Sequence, residues 1–127
     1  MAIVTLIAAL ALNLQPAPGA IAWEPVGGDE AGTYAIDPAS IARDGDIVRF
    51  QLRATAARAE ADGTSWATVR YMIDCRRRTV AAEAADFYRL DGTLVSSRRA
   101  GNGWGEAEPI GDQRARFQVF RRVCPGA

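Results

Sequence analysis

Asp46-Ile47-Val48-Arg49-Phe50-Gln51-Leu52-Arg53-Ala54-Thr55-Ala56 alternates apolar and polar side chains over its whole length. Successive side chains of a strand point to opposite faces, so Val48, Phe50, Leu52 and Ala54 share one face while Arg49, Gln51, Arg53 and Thr55 share the other. A strand with one buried and one solvated face belongs to an antiparallel sheet. Asp44-Gly45 supplies the turn that precedes it.

The same period recurs in Ser65 to Cys75, where Ala67, Val69, Tyr71, Ile73 and Cys75 face together, which directs Cys75 toward the core. Thr79 to Leu90 is alanine-rich in its first half, so helix competes there. Phe87 to Leu90, Asp91-Gly92 and Thr93 to Ser96 nonetheless form a hairpin signal. Trp23 to Val26 and Thr33 to Ile36 read as a first short pair around Gly27, Gly28 and Asp29. That makes about six strands, each bounded by turn residues. Asp37-Pro38-Ala39-Ser40-Ile41 reads as one helical turn, with Asp37 as N-cap and Pro38 where its missing N–H costs nothing. From Asp112, a second possible cap, Phe117, Phe120 and Cys124 recur at helical spacing with Val119 and Val123 beside them, leaving Arg114, Arg121 and Arg122 toward water. Strand is the competing assignment for Arg116 to Phe120. The fold class expected is α+β: an antiparallel sheet with a C-terminal helix.

Residues 1–22 carry no charge, and Ile3 to Leu14 is an almost unbroken apolar run. Pro16, Pro18 and Gly19 end it, and Ala20-Ile21-Ala22 offers the small residues that signal peptidase accepts, so cleavage between Ala22 and Trp23 is expected. The run falls short of the roughly 20 apolar residues of a spanning helix, which makes a permanent anchor the weaker reading and a stable membrane span unexpected. The leader lacks the usual Lys or Arg, which points to a start further upstream, and no Cys near the cleavage point would take a lipid. The mature chain expected is residues 23–127, exported to the periplasm or the cell surface. Oxidising compartments give the two cysteines, Cys75 and Cys124, a single pairing; two unpaired thiols are the alternative. The bond would fasten the helix to a central strand and, by closing a loop of about 50 residues, stabilise the domain by about 4 kcal/mol.

With 127 residues, 49% hydrophobic and 24% charged, the chain has the length and composition of one ordinary domain. Fifteen acids balance fifteen bases, so nothing favours a nucleic-acid partner. The balance is uneven along the chain: residues 23–75 hold nine acids and five arginines, residues 76–127 six acids and ten arginines. Every base is Arg, which coding bias explains as readily as guanidinium chemistry does.

No histidine is present, which removes Ser-His-Asp and Cys-His mechanisms and the commonest metal ligand. No phosphate-cradling glycine motif occurs, and Gly101-Asn102-Gly103-Trp104-Gly105 reads as a plain loop. The acidic pairs Asp44/Asp46, Glu60/Asp62 and Glu106/Glu108 each flank a turn. An enzyme, a metal and a cofactor are therefore not expected. The arginines are the better candidates. Arg76, Arg77 and Arg78 follow Cys75, Arg98 and Arg99 follow the hairpin, and Arg121 and Arg122 precede Cys124. A disulfide would bring the first and last groups together into a positive patch, against the alternative of a solvated surface paired to the acidic half. Trp104 is a candidate contact anchor, with packing over its own sheet edge as the alternative.

Taken in order, Trp23 with Val26, the stretch Tyr34-Ala35-Ile36-Asp37-Pro38-Ala39-Ser40-Ile41-Ala42-Arg43-Asp44-Gly45, Val48-Arg49-Phe50-Gln51-Leu52, Ser65, Asp74-Cys75 with Arg78, Gly92, Trp104, Pro109-Ile110 and Cys124 resemble the surface-adhesin protein E-like family of proteobacteria. The resemblance spans nearly the whole mature chain. It implies an antiparallel sheet with a helix tied by the cysteine pair, and a binding role toward extracellular-matrix proteins. This sequence departs from the pattern in having no Lys, Phe50 in place of an expected tryptophan, and no anchoring Cys. The function expected is an exported adhesin-like module that contacts matrix proteins or an acidic polysaccharide through its Arg-rich face. The alternative is a structural or stress-related envelope protein, and exposed strand edges leave a homodimer open.

Overall fold

The computed structural model describes residues 20–126. The expected export signal therefore lies almost entirely outside the described residues. Within them the chain forms one antiparallel sheet: β1 (Glu24–Asp29), β2 (Gly32–Ile36), β3 (Ala42–Asp44), β4 (Ile47–Ala56), β5 (Trp66–Asp74), β6 (Thr79–Tyr88), β7 (Leu94–Arg99) and β8 (Glu108–Pro109), followed by the helix α1 (Arg114–Val123). Six strands run in the order β1-β2-β4-β5-β6-β7, while β3 and β8 extend the edges of β4 and β6. The sheet curls into a half-barrel and the helix lies in it.

Along this path each strand pairs antiparallel with the next, because the strands are amphipathic and only β3 and β8 leave the path to pair β4 and β6. The alternation of residues 46–56 sets the register: Val48 faces Ile73, Phe50 faces Tyr71, Leu52 faces Val69 and Ala54 faces Ala67. The concave face so built buries Val48, Phe50, Leu52 and Ile73 together with Ile36, Val80 and Ile110, and α1 adds Val119, Phe120, Val123 and Cys124 to the same core. Thr79 to Tyr88 is strand throughout, since pairing with β5 on one side and β7 and β8 on the other outweighs the helix preference of its alanines. A bulge lies opposite Arg70 and Tyr71, where Glu83 is the extra residue. The hairpin closes through Arg89 and Thr93 with Leu90, Asp91 and Gly92 between them, and Gly92 takes the left-handed conformation that ends such a loop.

The turn at Asp37 forms as a short 3₁₀ helix over Pro38–Ser40, with the Asp37 carboxylate accepting the Ala39 N–H at 3.1 Å. At α1 two expectations need correction. Gln113, not Asp112, occupies the N-cap and its side chain makes no capping bond, because Asp112 is still within the preceding turn. The buried stripe is Ala115, Val119, Phe120 and Val123. Phe117 falls one step outside it and is half-buried. The strand alternative for Arg116 to Phe120 is excluded.

The helix docks on β1 through a glycine. Gly27 sits at a bulge with φ +141°, and a Cβ there would lie 2.0 Å from Gln118 Oε1. Its absence lets Gln118 accept the Gly28 N–H at 3.2 Å. At the C-terminal end of the helix, Cys75 and Cys124 are joined, with Cα atoms 5.6 Å apart and a sequence separation of 49. The bond ties the end of β5 to the C-terminus of α1, as the buried faces of both elements require.

Candidate functional site

The arginines on either side of the disulfide meet at one end of the molecule. Arg76, Arg77 and Arg78 occupy the four-residue turn between β5 and β6, organised by Asp74, whose carboxylate accepts the Arg76 and Arg77 N–H groups at 3.1 and 2.9 Å. Arg78 adopts a left-handed φ of 57°, rare outside glycine, and donates its N–H to the Asp74 carbonyl at 2.8 Å. That backbone aims its guanidinium across the helix: its Cζ lies 4.9 Å from the Phe120 ring and 6.0 Å from that of Phe117. Arg121 reaches the same Phe117 ring at 5.9 Å. Phe117, displaced from the core stripe, thus serves as a platform between two arginines from opposite sides of the disulfide.

Arg43 joins this end and was not legible in the sequence as a site residue. It stands on β3, whose register against β4 places it beside the helix terminus, and its guanidinium donates to the Val123 carbonyl. An unpaired carbonyl at a helix C-terminus attracts a cation, so this contact also caps α1. Arg122 points the other way and is consumed by Glu24, with a second bond at 3.3 Å; hydrogen bonding to Arg122 holds the Glu24 carboxyl below its ordinary range. Arg77 approaches Asp74 at 3.8 Å. Arg76, Arg78 and Arg121 enter no ion pair among the described residues. Asp44 ends β3 and Asp46 lies in the turn after it, and the Cys75 N–H donates to the Asp46 carbonyl at 2.8 Å, so these two acids join Asp74 at this end.

The other expected site residues lie elsewhere. Arg98 pairs with Ala85 on the edge strand β7, five residues along the sheet from the level of Val80, or about 17 Å at strand rise. Arg99 approaches Asp86 at 3.8 Å on the face of the sheet away from the helix. Trp104 is half-buried and packs on a second small cluster formed by Ala67, Val69 and Ala85, so it lies over its own sheet. Sheet-face pairing and this cluster separate these three residues from the disulfide end.

These features define a small antiparallel half-barrel whose terminal helix is held in the sheet by one disulfide and whose tied end is rich in arginine. The chain belongs to the surface-adhesin protein E family, whose model matches residues 23–125. Membership carries the description of an adhesin-like surface protein. Two solved structures of Haemophilus influenzae protein E are similar. Crystal form II superposes with TM-score 0.53 at 13% identity, covering 84% of this chain and 96% of that one. The selenomethionine form gives TM-score 0.55 at 13% identity, covering 84% and 95%. At that identity the likeness shows the fold. No curated protein matches by sequence. Among the described residues no helix is long and apolar enough to cross a membrane.

Proposed function

We propose that the protein is an exported binding module that attaches to acidic macromolecules, namely a sulfated polysaccharide or an acidic patch of a matrix protein, through the arginines at its disulfide-tied end. The observation that carries this reading is the convergence of Arg78 and Arg121 on Phe117 from two segments 43 residues apart, with Arg76 and Arg43 at the same end. Guanidinium groups left without a carboxylate are available to sulfate or carboxylate oxygens, which they grip in pairs. The family's description as a surface adhesin supports the role, and its match begins at residue 23, the residue expected to open the mature chain. Export to the periplasm or surface follows the same reading.

The test is titration of the purified protein with heparin and with an immobilised matrix protein at low and near-physiological salt. Attraction between exposed charges is screened over about 8 Å at physiological ionic strength, so affinity must fall as salt rises. Binding that ignores salt, or no binding at low salt, would remove the arginine end from consideration.

A further inference from the structure

The opposite end of the concave face carries a second, unrelated feature. Helix α1 covers the concave face over Phe50, Leu52, Ile73 and Val80, with Ala115 and Arg116 reaching toward Tyr34, and beyond it the sheet opens toward the connection between β4 and β5. There one register row runs Tyr34, Ala54, Ala67, Phe87 across four strands. Two aromatic side chains thus stand at the flanks of two alanines, three strand spacings or about 14 Å apart at the backbone. The next residue of β4 on this face, Ala56, faces Gly32, so the floor stays low to the end of the sheet. One row further in, Ile36, Leu52 and Val69 close the space with full-sized side chains.

The result is a cavity of about 580 Å³ with an aromatic wall on each side. Its volume is that of a small-molecule site rather than of a packing defect. Its only charged lining residues are Glu60 and Asp62, both acids and both on the connection that overhangs it. Asp62 is fixed in place by accepting the Thr64 N–H at 2.9 Å, and neither acid enters an ion pair among the described residues. Two bases stand nearby: Arg89, whose side chain lies against Gly63 beside Asp62, and Arg116 of α1, whose charge reaches Tyr34.

Aromatic faces and carboxylates together make an environment for a positive charge with an apolar body: the rings attract a cation through their quadrupoles, the carboxylates through their charge, and the alanine floor takes the apolar part. We propose that this notch binds a small organic cation, an aromatic or aliphatic amine or quaternary ammonium compound, with its apolar body on Ala54 and Ala67 between Tyr34 and Phe87 and its charge toward Glu60 and Asp62. The site is independent of the arginine end, which carries the opposite sign and lies beyond the helix.

The experiment uses three probes of similar shape: benzyltrimethylammonium, benzyl alcohol and phenylacetate. Binding is followed by tryptophan fluorescence, since Trp66 lines the cavity, and by calorimetry. The cation should bind, the alcohol more weakly and the anion not at all. Glu60→Gln with Asp62→Asn, on an exposed connection where Asn keeps the same turn, should weaken the cation about tenfold and leave the alcohol unchanged. Ala54→Leu should abolish binding of both by filling the floor, with an unchanged urea midpoint showing that the fold persists. A fall in that midpoint transfers the decision to the carboxylate variant alone. Equal affinity for all three probes, no binding of the cation, or undiminished cation binding in the carboxylate variant would overturn the proposal.

Discussion

Breaking the Cys75–Cys124 bond should cost the domain a large part of its stability. The bond spans 49 residues, nearly half of the described chain. In the chain-entropy treatment a loop of that length removes about 4 kcal/mol of disorder from the unfolded state. Domains of this size hold about 5–15 kcal/mol in total, so the reduced protein would be marginal rather than merely softened. Two perturbations separate the cross-link from the side chains. Cys75→Ser with Cys124→Ser removes both sulfurs, and Cys124 is fully buried, so the serine variant also loses apolar contact. Reduction of the native protein leaves the side chains in place. Urea unfolding followed by tryptophan fluorescence and by far-ultraviolet dichroism reads both. With a urea dependence of about 1–3 kcal/mol per molar, the midpoint should fall by roughly 1.3–4 M on reduction, and slightly further in the serine variant. The helix signal should be lost together with the tertiary signal, because α1 has no side-chain N-cap and relies on the sheet for its stability. A reduced protein within about 1 kcal/mol of the native one would refute the view that this bond holds the helix in the half-barrel.

Other perturbations test the packing and the charges. Phe120→Ala empties the centre of the helix–sheet core and should cost about 3–5 kcal/mol in the same assay; a loss under about 1 kcal/mol would place the helix elsewhere. Gly27→Ala forces a Cβ onto Gln118 at a backbone angle that L-residues avoid, and should destabilise by about 1–3 kcal/mol, with partial recovery when combined with Gln118→Ala. Acid should weaken the fold: hydrogen bonding to Arg122 lowers the Glu24 carboxyl, and the Thr64 and Thr93 N–H groups lower those of Asp62 and Asp91. Their stabilisation is present above the ordinary carboxylate range, about pH 4, and is lost as pH falls through the depressed values. Alkali should weaken it too, because burial raises Tyr34 and Tyr71, so the unfolded chain ionises first as pH climbs past about 10. A urea midpoint flat between these limits and falling at both ends is the expected profile; a midpoint that rises below pH 4 would contradict the first assignment.

Most of the sheet was legible because its strands are long and their alternation unbroken, as in Val48-Arg49-Phe50-Gln51-Leu52. The turns announced themselves through Asp44-Gly45 and Asp91-Gly92. What escaped was whatever depended on a partner distant in sequence. Strands β3 and β8, of three and two residues, are too short to show a period and exist because β4 and β6 offer free edges. Phe117 and Phe120 look alike at helical spacing, and only the position of the sheet decides that Phe120 is buried while Phe117 stays at the margin under Arg78 and Arg121. The approach of Arg76, Arg77 and Arg78 to Arg121 followed from the disulfide, but the turning of Arg122 to Glu24 and the part of Arg43 required the register of β1 and β3. For Trp104 the sequence left a contact anchor and packing over its own sheet both open, and the cluster of Ala67, Val69 and Ala85 decided for the second. The aromatic-walled notch was hidden altogether, since Tyr34, Ala54, Ala67 and Phe87 belong to four strands and meet only through their register.

The account is tested most directly by the salt concentration at which the protein leaves immobilised heparin, compared among the native chain, the Arg76→Glu, Arg121→Glu variant and the Arg98→Glu, Arg99→Glu variant. Both variants change the net charge equally, so a general charge effect moves them together. The disulfide-end variant should elute at much lower salt, while the edge-strand variant stays near the native chain. Equal shifts in the two variants, or a larger shift from Arg98 and Arg99, would contradict the claim that the disulfide gathers the binding surface.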